Sequence, residues 1–217
     1  MSSVVDVCSV TLGAMLVPDV KRRAAARARR RRPIVAVIGS GRTADPHCEE
    51  IGRLVAALGA NLLTGGGRGV MEAVSRAFFE TSPRDGLVIG VIPAEVDPLQ
   101  ALERREETSV DYRPPEGYPN PWVEVAIYTH LPDSGPEGTL GTSRNHINVL
   151  TADAIVALPG EAGTVSEMWL AVQYGVPIVA YGAHLKGRPF GITHARSLAD
   201  VGDFLRRNLE IKNLKSV

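Results

Sequence analysis

The chain has 217 residues, 44% hydrophobic and 22% charged, the size and balance of a single soluble α/β domain. No run approaches the roughly 18 apolar residues of a membrane span, and two cysteines, Cys8 and Cys48, give no disulfide framework, so a reducing, cytoplasmic setting is expected. The 24 basic and 24 acidic residues cancel, but eight of the basic ones lie in residues 21–32, KRRAAARARRRR, which leaves 33–217 net acidic and disfavours nucleic acid as a partner of that body.

Residues 1–32 read as a like-charged, disordered arm. Its apolar stretch precedes its positive run, the reverse of a secretory signal, although its arginine content is also that of a transit peptide. From residue 33 the pattern changes. Ile34–Ile38 is a short, wholly apolar run ending in Gly39-Ser40-Gly41, as in a parallel strand buried on both faces and closed by a tight turn. Residues 46–59 carry Ile51, Leu54, Val55 and Leu58 at helical spacing, with Pro46 suited to the first turn and Gly59 to the C-terminal cap. The unit repeats: a strand over 60–64, the loop Gly65-Gly66-Gly67-Arg68-Gly69, and a helix over 70–79. Residues 87–92 predict a third strand stopped by Pro93, and 123–128 a further β-rich run.

Residues 97–143 interrupt this rhythm with seven prolines, forming a long insertion in which 103–107 reads as a short helix and 129–143 as a flexible, polar rim. A buried strand at 154–158 then leads into Pro159–Gly163 and a helix to about 174. Residues 176–181 predict the last strand, and 196–209 a terminal amphipathic helix. Strands alternating with helices indicate βαβ units, hence a Rossmann-like, doubly wound, mostly parallel sheet in one domain over 33–217.

Three strand ends carry glycine-rich loops: GSGR at 39–42, GGGRG at 65–69 and PGEAGT at 159–164. Glycine lets backbone N–H groups approach an anion, and a following helix N-terminus adds free donors and a favourable dipole. A small phosphorylated ligand is therefore expected on Gly39, Ser40, Gly41, Arg42, Gly65, Gly66, Gly67, Arg68, Gly69, Asn145, Pro159, Gly160, Gly163 and Thr164. The plainer alternative is that the glycines only permit tight βα turns. There is no Walker lysine, and GSGRTA lacks the third glycine of a dinucleotide fingerprint. The histidines show no metal-ligand spacing, so no metal site is expected.

The succession GGGRGVMEAVSRAF (65–78), VIGVIPAEV (88–96), SRNHINVLTADAIVALPG (143–160) and EAGTVSE (161–167) resembles the LOG-type, lysine-decarboxylase-like Rossmann family. That family includes cytokinin-activating phosphoribohydrolases and, among its relatives, molybdenum cofactor carriers. The resemblance implies a homodimer or higher homo-oligomer. It also implies an enzyme that cleaves the N-glycosidic bond of a nucleoside 5′-monophosphate without a cofactor, with Arg144 and Glu167 as its catalytic residues. The alternative it implies is a carrier that holds molybdenum cofactor, a phosphorylated pterin, without chemistry. Two departures favour the alternative: Glu161 stands where the family has the second glycine of PGG, and Asn145 where the hydrolases have lysine. A carboxylate could stabilise an oxocarbenium-like ribose or activate water, and a guanidinium could grip phosphate.

Single residues have plainer readings. Thr164–Glu167 also fits a capping box, with Thr164 at N-cap and Glu167 at N3. Met71 and Met168 read as core or interface filler, Trp122 and Trp169 as packing residues, and His146 as a hydrogen-bonded helix residue.

Overall fold

The computed structural model describes residues 31–95, 112–183 and 187–215, with side chains to residue 209. Seven strands form one sheet: β1 (Ile34–Ile38), β2 (Asn61–Thr64), β3 (Val88–Ile92), β4 (Val125–Tyr128), β5 (Ala154–Ala157), β6 (Ile178–Ala180) and β7 (Thr193–His194). Their order is β4-β3-β2-β1-β5-β6-β7, and every pairing is parallel. Among the described residues, five α-helices accompany them: α1 (Cys48–Ala57), α2 (Val70–Phe79), α3 (Asn145–Thr151), α4 (Ala162–Tyr174) and α5 (Leu198–Lys215). The fold is the expected Rossmann-like α/β architecture. The strand order reverses between β1 and β5, and that switch point is where an open parallel sheet offers a crevice to a ligand.

The central strands are apolar on both faces because helices cover both. Val35 and Val37 of β1 join one buried cluster with Ile51, Val55, Val74, Phe78 and Leu205; Ala36 and Ile38 join the other with Val149, Ile155, Met168 and Leu170. Met168 is thus filler of this chain's own core, fully buried. β4 differs: Val125, Ile127 and Tyr128 are partly exposed, as suits an edge strand.

Several expectations are corrected. The last strand is β7, not the run at 176–181; two residues are too few for a periodic signal. The terminal helix runs to Lys215. The predicted helix at 103–107 falls outside the described residues, as does residue 30 and everything before it. The last two residues of the expected arm are engaged: Arg31 pairs with Asp153, and Arg32 donates to the Asp85 carbonyl. No helix among the described residues is long and apolar enough to cross a membrane.

Candidate functional site

The C-terminal ends of β1, β2 and β5 deliver their glycine loops to one side of the sheet, where they frame a cleft of about 490 Å³. Gly39, Gly41, Arg42, Gly65, Arg144, Asn145, Gly163, Thr164 and Glu167 line it, together with Met71, Tyr118, Ser134, Gly135, Pro136 and Glu161. Ser40, Gly66, Gly67, Arg68, Gly69, Pro159 and Gly160 are not among the lining residues.

Ser40, Gly69, Pro159 and Gly160 join the loops behind the cleft instead. Ser40 donates its backbone N–H to the Pro159 carbonyl at 3.0 Å, joining the first loop to the third. A side chain at Gly160 would fall 2.7 Å from the Ser40 nitrogen and 2.8 Å from the Gly39 carbonyl carbon, so only glycine lets the two loops touch. Gly69 is the N-cap of α2 with φ 65°, a left-handed backbone that favours glycine, pressed against the Ser40 and Gly41 backbone. Arg68 leaves the cleft and pairs with exposed Glu116 at 3.2 Å.

Arg144 opens α3 and is 6% exposed. Its Nη1 donates to the Gly65 carbonyl at 2.6 Å and to the Val91 carbonyl, and its guanidinium lies 5.5 Å from the Tyr118 ring centre. These bonds tie the loop after β2 to the end of β3. One turn later, Asn148 donates Nδ2 to Glu167 Oε1 at 3.1 Å. Arg144 Nε and Asn148 Oδ1 are buried without a hydrogen-bond partner among the described residues. A buried donor or acceptor left unpaired is costly unless something polar meets it, and of the two residues Arg144 lines the cleft.

The capping box is overturned. α4 starts at Ala162 with Glu161 as its N-cap, which places Thr164 within the first turn and Glu167 in the second. Glu167 is held by Asn148 from the neighbouring helix, so its orientation is a tertiary effect. Burial raises the Glu167 carboxyl above its ordinary value of 4.5, against the opposing pull of the Arg144 guanidinium and the Asn148 amide. A carboxyl raised in the folded state binds more protons there than in the unfolded chain, so stability falls as pH rises from about 4.5 through the folded value. Glu167→Gln mimics the protonated form. Its melting temperature is expected to exceed that of wild type at alkaline pH, with the two converging as pH falls toward 4.5. Parallel pH dependence of the two melting curves would contradict this.

The rim at 129–143 is built rather than free. A short 3-10 turn, Gly135–Glu137, is anchored by Ser166 Oγ donating to the Gly135 carbonyl at 2.8 Å. His146 bonds the Tyr174 hydroxyl at 2.6 Å and the Leu140 carbonyl at 2.9 Å, in line with a hydrogen-bonded structural histidine. Asn120, which sequence reasoning missed, is 3% exposed and donates Nδ2 to the Gly67 carbonyl at 2.9 Å. Tyr118 was missed as well; no motif marks either, though both lie in the proline-rich insertion that the sequence singled out. No cluster of metal-ligating side chains occurs among the described residues.

The comparisons with known proteins agree with this fold. The chain is 27% identical over 149 residues to an uncharacterized protein of Archaeoglobus fulgidus, covering 65% of this chain and 74% of that one. Among solved structures, the molybdenum cofactor binding protein of Rippkaea orientalis is 26% identical with a TM-score of 0.58, over 82% of this chain and 98% of that one. The Moco carrier protein of Chlamydomonas reinhardtii is 27% identical with a TM-score of 0.58, over 83% and 99%. DNA processing protein A of Helicobacter pylori, at 15% identity and a TM-score of 0.50, shares the fold alone. The profile of the SLOG cluster4 family, a LOG-like group, matches residues 32–200, and the chain belongs to that family.

Proposed function

We propose that this protein binds and holds a phosphorylated pterin of the molybdenum-cofactor class without cleaving it. The observation that carries the reading is the state of Arg144. Its guanidinium is committed to two backbone carbonyls and to the Tyr118 ring, so it acts as a wall of the cleft rather than a clamp free to follow a reacting phosphate. The Glu167 carboxylate is likewise engaged, held by the Asn148 amide from the neighbouring helix.

The residues fit the group. The cleft volume lies within the roughly 300–1,000 Å³ of small-molecule sites. The first-turn amides of α4 have no intrahelical acceptor and are suited to a phosphate at Gly163 and Thr164. Arg144, a lining residue, keeps a buried Nε donor without a hydrogen-bond partner among the described residues. Likeness to two proteins named for molybdenum cofactor supports the same class. A homodimer is part of the proposal, with Leu150, Trp169 and Val172, exposed on α3 and α4, as its contact.

Purification from cells that make the cofactor tests the reading, with oxidation of the bound pterin to its fluorescent form and a panel of nucleoside monophosphates assayed for released base. Stoichiometric pterin and no base are expected. Absence of pterin, or base release that Glu167→Ala abolishes, would restore the hydrolytic alternative with Arg144 and Glu167 as its catalytic pair.

A further inference from the structure

Three asparagines are buried among the described residues, and two of them are bonded within the protein. Asn120 donates Nδ2 to the Gly67 carbonyl, and Asn148 donates Nδ2 to Glu167. Asn145, beside Arg144 on α3, is 4% exposed and lines the cleft. Its backbone N–H is held by Ser143 Oγ at 3.2 Å, but its side-chain amide has no hydrogen-bond partner among the described residues. Unlike Asn148 Oδ1, neither of its amide atoms is fully covered. The rim fixes this amide in place. Ser166 Oγ holds the Gly135 carbonyl, and Gly138 lies so close that a side chain there would fall 2.5 Å from Asn145 Nδ2. A polar side chain pinned by packing, bonded to nothing in the protein and set in a cleft wall is preorganised for a ligand.

Either way round, a carboxamide presents a donor and an acceptor side by side. A phosphate ester offers mainly acceptors and calls for cations, which Asn145 does not supply. The complement of the amide is a neutral planar edge with an acceptor next to a donor, such as the lactam C=O and N–H of a pterin ring. The charged lining residues also suit a neutral group, since Arg42 and Arg144 are matched by Glu161 and Glu167. We propose that Asn145 is a specificity-determining residue that reads the lactam edge of the ligand's heterocycle through paired hydrogen bonds and takes no part in holding phosphate. The inference rests on the proposed pterin reading and deepens it. The ligand is divided between two helices, with its phosphate at the start of α4 and its ring edge at Asn145 of α3.

The test titrates two probes into the full chain: unphosphorylated pterin, followed by its fluorescence, and inorganic phosphate, followed calorimetrically. Asn145→Leu keeps the branched shape and removes the amide, and Asn145→Ala removes it without crowding the rim. Each is expected to weaken pterin binding by about tenfold, the order of two neutral hydrogen bonds, with no matching loss for phosphate. The amide is bonded to nothing in the protein, so the melting temperature of Asn145→Leu should not fall below that of wild type, whereas replacing a merely structural asparagine lowers it. If one variant melts early, the other decides. Unchanged pterin affinity in the folded variants, an equal loss for phosphate, a lowered melting temperature in both variants, or no pterin binding by wild type would overturn the inference. Retention of pterin from cells is scored separately. Pterin retained alike by wild type and both variants sinks only this inference, and a wild type that binds added pterin through Asn145 but retains none from cells sinks only the proposed function.

Discussion

Arg144→Ala is expected to lower the unfolding free energy by about 3–5 kcal/mol and to leave the purified protein without bound pterin. Arg144 is 6% exposed, and removing it strips the Gly65 and Val91 carbonyls of a charged donor while opening space against Tyr118. Two costs add: buried acceptors lose their partner, and the loop after β2 loses its tie to the end of β3. The second cost reaches the ligand, because Gly65 lines the cleft. A side chain at Gly65 would fall 2.7 Å from Arg144 Nη2, which shows how closely the guanidinium is pressed against that loop. Arg144→Met keeps apolar bulk under the ring and removes the donors, so it separates packing from hydrogen bonding. Urea unfolding measures both variants. A loss under about 1 kcal/mol in Arg144→Ala would mean that the carbonyls find other partners and the wall survives without it.

The second large effect contrasts two glycines of one motif. Gly160→Ala is expected to cost about 2–4 kcal/mol and to abolish pterin retention, since the new methyl group meets the Thr164 hydroxyl and the backbone of Gly39 and Ser40, and that backbone cannot retreat without straining the bond from Ser40 to Pro159. Gly163→Ala should do the opposite to stability. Gly163 is helical, its nearest would-be neighbours lie 3.6 Å away at Gly135, and alanine in a helix gains about 0.5–1 kcal/mol over glycine. Pterin retention should still fall, because the added methyl group faces the cleft that Gly163 lines. Thermal melts with pterin quantitation read both quantities. Equal destabilisation by the two substitutions would show that the motif's glycines serve backbone freedom alike.

Much of the fold could be read from residue order because its signals are local. A short apolar run such as Ile34–Ile38, rich in β-branched residues and bounded by proline and glycine, suits a strand covered on both faces, and a glycine loop followed by apolar residues at helical spacing suits a helix packed back along it. β7 escaped because two residues carry no period. The neighbourhood of the site was also legible: the loops at 39–42, 65–69 and 159–164 do meet at the switch point, since each ends a neighbouring parallel strand.

Which residue of each loop faces the cleft was not legible. Arg68 and Arg42 look alike in sequence, yet Glu116, 48 residues later, draws Arg68 outward. Glu167 has the spacing of a capping box, but α4 begins two residues before Thr164 and Asn148 takes the carboxylate. Asn120 and Tyr118 reach the second loop from a proline-rich stretch without periodicity.

The parallel sheet and the place where its loops converge were both written in residue order, because they depend on backbone periodicity and on glycine. What the side chains do there came from the folded arrangement alone: Arg144 is spent on two carbonyls, Asn148 rather than Thr164 governs Glu167, and Ser40 holds Glu161 across the first loop. These are contacts between residues 19 to 121 positions apart, and a hydrogen bond at that range is fixed by how helices sit on the sheet, which no local pattern encodes.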